Sequence, residues 1–186
     1  MYKFVDGECC VEVSWTAKGE TTSVFSNLPC YAEEVQNSVA ANWSGMQVIG
    51  RTGQLFSYTG ASDVSCSFTL KLHRELCLTE NNPKVGSRSN MKTIDQIIAI
   101  IKSGCYPKYG SNTLRPPRTT FKFGDFWITG KLTSVSDSWE GPIIGKKYAM
   151  CTLSIQMESA ATRIVDAEDI YGGTTMHSVR GHYVEG

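Results

Sequence analysis

The chain predicts a mainly β fold of the α+β kind, with one amphipathic helix flanking the strands, and three observations carry that reading. Residues 63–73 alternate strictly, with Val64, Cys66, Phe68, Leu70 and Leu72 on one face and Asp63, Ser65, Ser67, Thr69, Lys71 and His73 on the other. Residues 149–158 repeat the pattern, with Ala149, Cys151, Leu153, Ile155 and Met157 opposed by Met150, Thr152, Ser154, Gln156 and Glu158. Successive side chains of a strand point to opposite faces, so each run reads as a long, half-buried strand. The third observation is a helical spacing of Met91, Ile94, Ile97, Ile98 and Ile101, bounded by Asn90 as N-cap and Gly104 as stop, which predicts a helix over 91–103. Its β-branched isoleucines lower the intrinsic helix propensity, so burial of that face has to supply most of its stability.

Shorter strands are expected at Val11, Val13 and Trp15, at 54–59 between Gly53 and Gly60, at 119–123, and at 126–136. Gly130 interrupts the last of these and marks a bulge or a close backbone approach. Turns are expected at Gly60-Ala61-Ser62-Asp63, at Phe123-Gly124-Asp125, and at Gly141-Pro142 followed by Gly145-Lys146. The prolines of 105–118 forbid a regular ladder and predict an ordered loop. From Ser159 onward the chain turns polar and glycine-rich, with only Ile164, Val165, Ile170 and Tyr171 as isolated apolar residues, too few for a core. A single β domain over 1–158 and a C-terminal arm over 159–186 that orders only by lying on another surface follow from this.

With 186 residues the chain is long enough for one good-sized core. Its 18 basic and 18 acidic residues cancel, which removes any overall drive towards nucleic acid or an anionic membrane and leaves little charge repulsion to oppose self-association. The sequence has neither a run apolar enough to span a membrane nor a signal-like start, so synthesis in the cytoplasm is expected and the Asn42-Trp43-Ser44 sequon should stay unmodified. None of the seven cysteines forms a Cys-x-x-Cys pair. Cys66 and Cys151 belong to the apolar strand faces. The odd count leaves at least one thiol over, which makes Cys9, Cys10, Cys30, Cys77 and Cys105 candidates for bonds to another chain.

Catalytic chemistry finds little support. His177 and His182 lie in the arm, and His73 is four residues from Cys77 with nothing in the sequence to orient the imidazole. Glu33-Glu34 and the Asp166, Glu168, Asp169 group are acidic runs of the kind found on solvated faces. No zinc-protease, phosphate-loop, nucleophile-elbow or calcium-loop signature occurs, and no catalytic, cofactor-binding or metal-binding residue is nominated. Arg51, between Gly50 and Gly53, reads either as offering its planar fork to a carboxylate of a neighbouring subunit or as a surface arginine in an ordinary turn. Tyr106, Tyr109, Arg115 and Arg118 read as an interface loop in preference to a stacking surface for nucleic acid.

Taken in order, Gly50-Arg51-Thr52-Gly53, Tyr58-Thr59-Gly60 and the strand from Val64 to Glu75 resemble structural proteins of contractile phage tails and baseplates. The helix at 94–103, Tyr106-Pro107-Lys108-Tyr109, Pro116-Pro117, Phe123-Gly124-Asp125-Phe126 and Trp139-Glu140-Gly141-Pro142-Ile143 resemble the second half of such proteins. The likeness spans 40–158 and is nearest to the tube-like group of tube initiators, tube-to-hub adaptors and tail terminators. It implies a β-barrel or β-sandwich with a flanking helix, a six-fold ring whose sheets line a channel, and contacts with tail tube, baseplate hub and wedge proteins. No cofactor, membrane or specific nucleic-acid partner is implied, and the expected location is the virion. Arms at 1–8 and 159–186 would order on neighbours. A glycan- or peptidoglycan-binding baseplate component, using Trp15, Trp43, Trp127 and Trp139, and a small hydrolase on the same sheet are the competing readings.

Overall fold

The computed structural model describes residues 9–17, 20–47, 49–50, 52–77, 92–108 and 117–159. The strands are β1 (Cys9–Ala17), β2 (Glu20–Asn27), β3 (Val35–Ser38), β4 (Ala41–Met46), β5 (Leu55–Ala61), β6 (Ser65–His73), β7 (Arg118–Phe123), β8 (Phe126–Ile144) and β9 (Lys147–Ser159). A 3₁₀ turn (Arg74–Leu76) follows β6, and the helix α1 spans Ile94–Ser103. Seven strands form one antiparallel sheet in the order β2-β1-β7-β8-β9-β6-β3, and β4 and β5 form a separate two-stranded ribbon.

The mainly β expectation holds, and the two long alternations lie at the centre of the sheet. Phe68, Leu70 and Leu72 on β6 pair with Ile155, Leu153 and Cys151 on β9, so both apolar sets share one face. Val11 and Val13 on β1, Phe121 and Phe123 on β7, and Ile128 and Leu132 on β8 complete the buried cluster. Phe68 lies 5.0 Å from Phe121 between ring centroids. Their strands stand three places apart in the sheet, which in a flat sheet would hold them ~14 Å apart. The sheet therefore curls around its apolar face. It does not close into a barrel, because among the described residues β2 and β3 are its ends and do not pair with each other.

Ile94, Ile97, Ile98 and Ile101 of α1 are buried in the same core. The helix begins later than its apolar spacing suggests. Its N-cap is Thr93: Thr93 Oγ1 accepts the Gln96 N–H at 3.3 Å and Gln96 Oε1 accepts the Thr93 N–H at 3.1 Å. This reciprocal capping box satisfies two otherwise orphaned donors, which a cap at Asn90 would not do for a helix starting at Ile94. Asn90 and Met91 lie outside the described residues. Gly104 ends the helix as expected, in a place where a Cβ would come within 2.5 Å of Thr119 Oγ1 and 2.6 Å of Leu132 Cδ1.

Two glycine expectations resolve differently. At Gly130 a Cβ would collide with the Glu158 carbonyl of β9, so this position is a close backbone approach. Gly141-Pro142 is no turn. Strand β8 runs through it to Ile144, with a cis Gly141–Pro142 bond and a register shift between Glu140 and Ile143. The shift accommodates a residue that has no N–H to give a ladder. The chain reverses instead at Gly145 and Lys146, both at positive φ, the conformation a two-residue hairpin turn requires. Gly60 and Ala61, expected in a turn, belong to β5.

Candidate interaction surface

Three features of the described surface are unusual for a self-contained domain. The first is the edge strand β2. Its eight residues (ETTSVFSN) pair only with β1, contain no lysine or proline, and leave Val24 and Phe25 exposed. Such an edge offers a row of backbone donors and acceptors with neither lysine nor proline to blunt it, its one charge being Glu20 at the strand's start. The opposite end of the sheet is the four-residue β3, which pairs only with β6.

The second feature is the β4/β5 ribbon. Trp43 pairs with Tyr58 in an edge-on ring contact at 5.3 Å, and Gly45 pairs with Phe56, so the three aromatic side chains share a face. Trp43, Phe56 and Tyr58 are 61%, 66% and 55% exposed, and Met46 and Leu55 are exposed on the other face. The ribbon continues the β3/β6 pair. Ser38 pairs with Ser65, the Ser62 N–H donates to the Ala40 carbonyl at 2.7 Å, and Ala41 pairs with Ala61.

The third is the outer face of the sheet, where Gln36, Ser67, Gln156 and Ser134 form one row and Thr69, Ser154 and Ser136 the next. A shallow open depression there is lined by Glu34, Gln36, Ser67, Thr69, Ser154 and Gln156. Among the described residues no cluster of His, Cys, Asp or Glu is arranged to hold a metal ion, and no helix is long and apolar enough to cross a membrane.

The residues singled out from sequence scatter across this surface. Arg51, Tyr109 and Arg115 lie outside the described residues. Tyr106 is exposed, and its carbonyl accepts the Trp15 indole N–H at 3.1 Å, which ties the segment after α1 to β1. Arg118 opens β7 with an exposed side chain, and its carbonyl accepts the Ser14 hydroxyl at 3.3 Å. Tyr106 and Arg118 therefore sit near the β1 end of the sheet, while the ribbon root lies beyond β3. The ribbon aromatics were missed as a group, because Trp43 and Tyr58 are fifteen residues apart and meet only through strand pairing.

The cysteines divide by burial. Cys9, Cys66, Cys77 and Cys151 face the core, while Cys10 and Cys30 are half-buried and Cys105 is exposed. A thiol inside the core cannot meet one on another chain while the subunit stays folded, so Cys10, Cys30 and Cys105 are the remaining candidates for an inter-subunit bond. Burial pushes the Cys30 and Cys77 thiols up to about 12, with a neighbouring cysteine adding to the rise in each case. The Cys30 thiol donates to the Lys71 carbonyl at 3.1 Å. His73 accepts the Glu75 N–H through Nδ1 at 3.4 Å, capping the 3₁₀ turn, and Cys77 is a buried, protonated thiol.

The tryptophans divide as well. Trp15 and Trp139 pack against the core, whereas Trp43 and Trp127 are exposed on different strands. Compared with protein-family models the sequence finds no match, and compared with curated proteins it finds none either.

Proposed function

We propose that the chain is a structural subunit of a contractile phage tail, forming a ring as a tube initiator or as the adaptor between tail tube and baseplate. The observation that carries this reading is the pair of edges, β2 and β3, at opposite ends of one curled antiparallel sheet, each without a further strand among the described residues. Two unlike edges on one subunit favour head-to-tail association, and head-to-tail contacts close into a ring when the rotation between subunits permits. Zero net charge favours such association. The face of β3, β6, β9 and β8 is mostly hydroxyl and amide, and its Lys71 and Lys131 are each paired with a carboxylate, Glu33 and Glu158, so it suits a channel wall that holds a passing polyanion weakly. In this reading the chain is made in the host cytoplasm and ends in the virion, six copies meet edge to edge, and tail tube, baseplate hub and wedge proteins are the partners.

Light scattering on the purified chain, alone and mixed with tail tube protein, with and without reductant, tests the reading. A ring, or a monomer that converts to one when tube protein is added, is expected; a monomer inert to every tail component overturns it. A tail terminator would form the same ring and differ by binding the far end of the tube. The exposed Trp43 and Tyr58 rings favour one further alternative, a glycan-binding baseplate component, because stacked sugars use such faces. Retention on a peptidoglycan resin that is lost in Trp43→Ala would decide for it.

A further inference from the structure

The β4/β5 ribbon projects from the sheet. Among the described elements, β4 and β5 pack on each other and on nothing else to a comparable extent. The ribbon joins the β3/β6 pair at its root, where Ser38 pairs with Ser65 and the Ser62 N–H donates to the Ala40 carbonyl at 2.7 Å. From root to tip its rungs are Ala41–Ala61, Asn42–Gly60, Trp43–Tyr58, Ser44–Ser57, Gly45–Phe56 and Met46–Leu55. Trp43 and Tyr58, the aromatic residues that carry a polar group, lie nearer the root. Phe56, Met46 and Leu55 come further out, and Ile49, beyond the last rung, is fully exposed.

Three properties decide what kind of partner fits. The first is that apolar side chains are exposed all round: Trp43, Phe56 and Tyr58 on one face, Met46 and Leu55 on the other, and Ile49 at the tip. A groove in another protein covers one face of a ribbon and leaves the other bare, whereas a fluid lipid interface surrounds it. The second is charge. The 18 acidic residues of the chain all lie outside 35–62, a stretch whose one charged residue is Arg51, so it carries nothing that an anionic headgroup repels. The third is the order along the ribbon. Indole and phenol rings settle at the headgroup level, and purely apolar side chains go deeper. The rise from Trp43 to Met46 is ~10 Å at ~3.3 Å per residue, comparable with the ~5–10 Å to which surface-bound apolar faces sink.

We propose that the β4/β5 ribbon is a membrane-docking hairpin, which seats Met46, Ile49, Leu55 and Phe56 at the acyl boundary of a phospholipid bilayer and holds Trp43 and Tyr58 among the headgroups. Its depth is limited by its own backbone. Among the described residues β4 and β5 pair only with each other, and unpaired N–H and C=O groups cannot enter the hydrocarbon core. The ribbon therefore rests in the interface, where water still reaches its edges, and does not span the bilayer. The inference does not rest on the tail reading, because the ribbon of a single subunit is sufficient for it.

Flotation of the full chain with vesicles of phosphatidylcholine, alone and mixed with phosphatidylglycerol, tests it. The chain is expected to float with both, and its tryptophan emission to move to the blue on binding, a shift that Trp43→Phe should abolish. Ile49→Glu should lower partitioning into vesicles at least ~tenfold, because a carboxylate at the tip resists leaving water. Ile49 touches little in the folded chain, so the urea midpoint of this variant should match the parent's. Phe56→Ser should weaken flotation in the same direction, and if it unfolds the ribbon, Ile49→Glu decides. A chain that stays at the bottom of the gradient with both vesicles overturns the proposal, as does flotation that Ile49→Glu leaves unchanged. In the first case two controls identify the true occupant. An oligomer that Ile49→Glu converts to monomer in light scattering means a second copy, and retention on peptidoglycan resin that Trp43→Ala abolishes means a sugar.

Discussion

Arg74 holds Asp95 at the first turn of α1, with Nη1 2.9 Å from Oδ2 and Nη2 3.5 Å from Oδ1. The same guanidinium donates from Nε to the Tyr148 carbonyl at 3.0 Å and lies 5.8 Å from the centroid of the Trp139 ring. One side chain at the end of β6 thus joins the helix start to the β8/β9 hairpin. A Lys102–Asp137 ion pair at 2.6 Å ties the last turn of the helix to β8.

Arg74 is well shielded and binds through a planar fork, so its loss should cost more than that of an ordinary surface pair. Arg74→Ala is expected to lower stability by about 1–2 kcal/mol. Arg74→Lys should restore only part of this, because an ammonium cannot serve both Asp95 oxygens and the Tyr148 carbonyl together. Urea unfolding of the three proteins is the measurement, and equal midpoints for all of them would refute this role.

Asp95 and Asp137 are both held below their ordinary value of 3.8, chiefly by hydrogen bonds from Arg74 and from Lys102 respectively. A depressed carboxylate contributes stability that is complete above its unfolded pKa and is lost as pH falls through its folded pKa. The urea midpoint should therefore hold steady near neutrality and fall below pH ~4. The fall should be shallower in the Asp95→Asn, Asp137→Asn double variant. A variant that tracks the parent chain over that window would show that these two carboxylates do not drive the acid response.

Gly130 faces the Glu158 backbone with no room for a methyl group, whereas a Cβ at Gly53 would meet nothing within 4 Å. Backbone cannot move aside as a flexible side chain does. Gly130→Ala should cost about 3 kcal/mol and Gly53→Ala less than about 0.5 kcal/mol, read from thermal or urea unfolding. A neutral Gly130→Ala would mean that β8 and β9 stand further apart than described.

Thiol chemistry should follow exposure. Cys105 is exposed, and burial raises its pKa along with that of half-buried Cys10. A maleimide probe on the native chain should modify Cys105 first and Cys10 next, faster as pH rises towards their pKa values. Cys9, Cys66, Cys77 and Cys151 should react only after denaturation. Rapid labelling of Cys77 in the native state would contradict its place in the core.

Much of the fold was legible from periodicity. The apolar faces of β6 and β9 and the apolar stripe of α1 were readable in the chain, because burying one face of a regular element imposes a period on its sequence, whereas Gly130 was readable only as a bulge or a close approach. Strands β2, β3 and β4 were not readable. Six of the eight residues of β2 and all six of β4 are exposed, so neither has a buried face to impose a period. Their strand character comes from hydrogen bonding to β1 and β5. The candidate surface was harder still, since it is made of edges and of one aromatic cluster drawn from two strands.

What the sequence alone determined is a mainly β chain with two long half-buried strands, one amphipathic helix and a net charge of zero. Those properties are local or summed, and each can be read from spacing or from a count. Tertiary structure decided the rest: the strand order, the curl that brings Phe68 to Phe121, the helix start at Thr93, the passage of β8 through Gly141-Pro142, and the two edges left open among the described residues. These depend on pairings between residues distant in the chain, whose free energy comes from partners that no local pattern names.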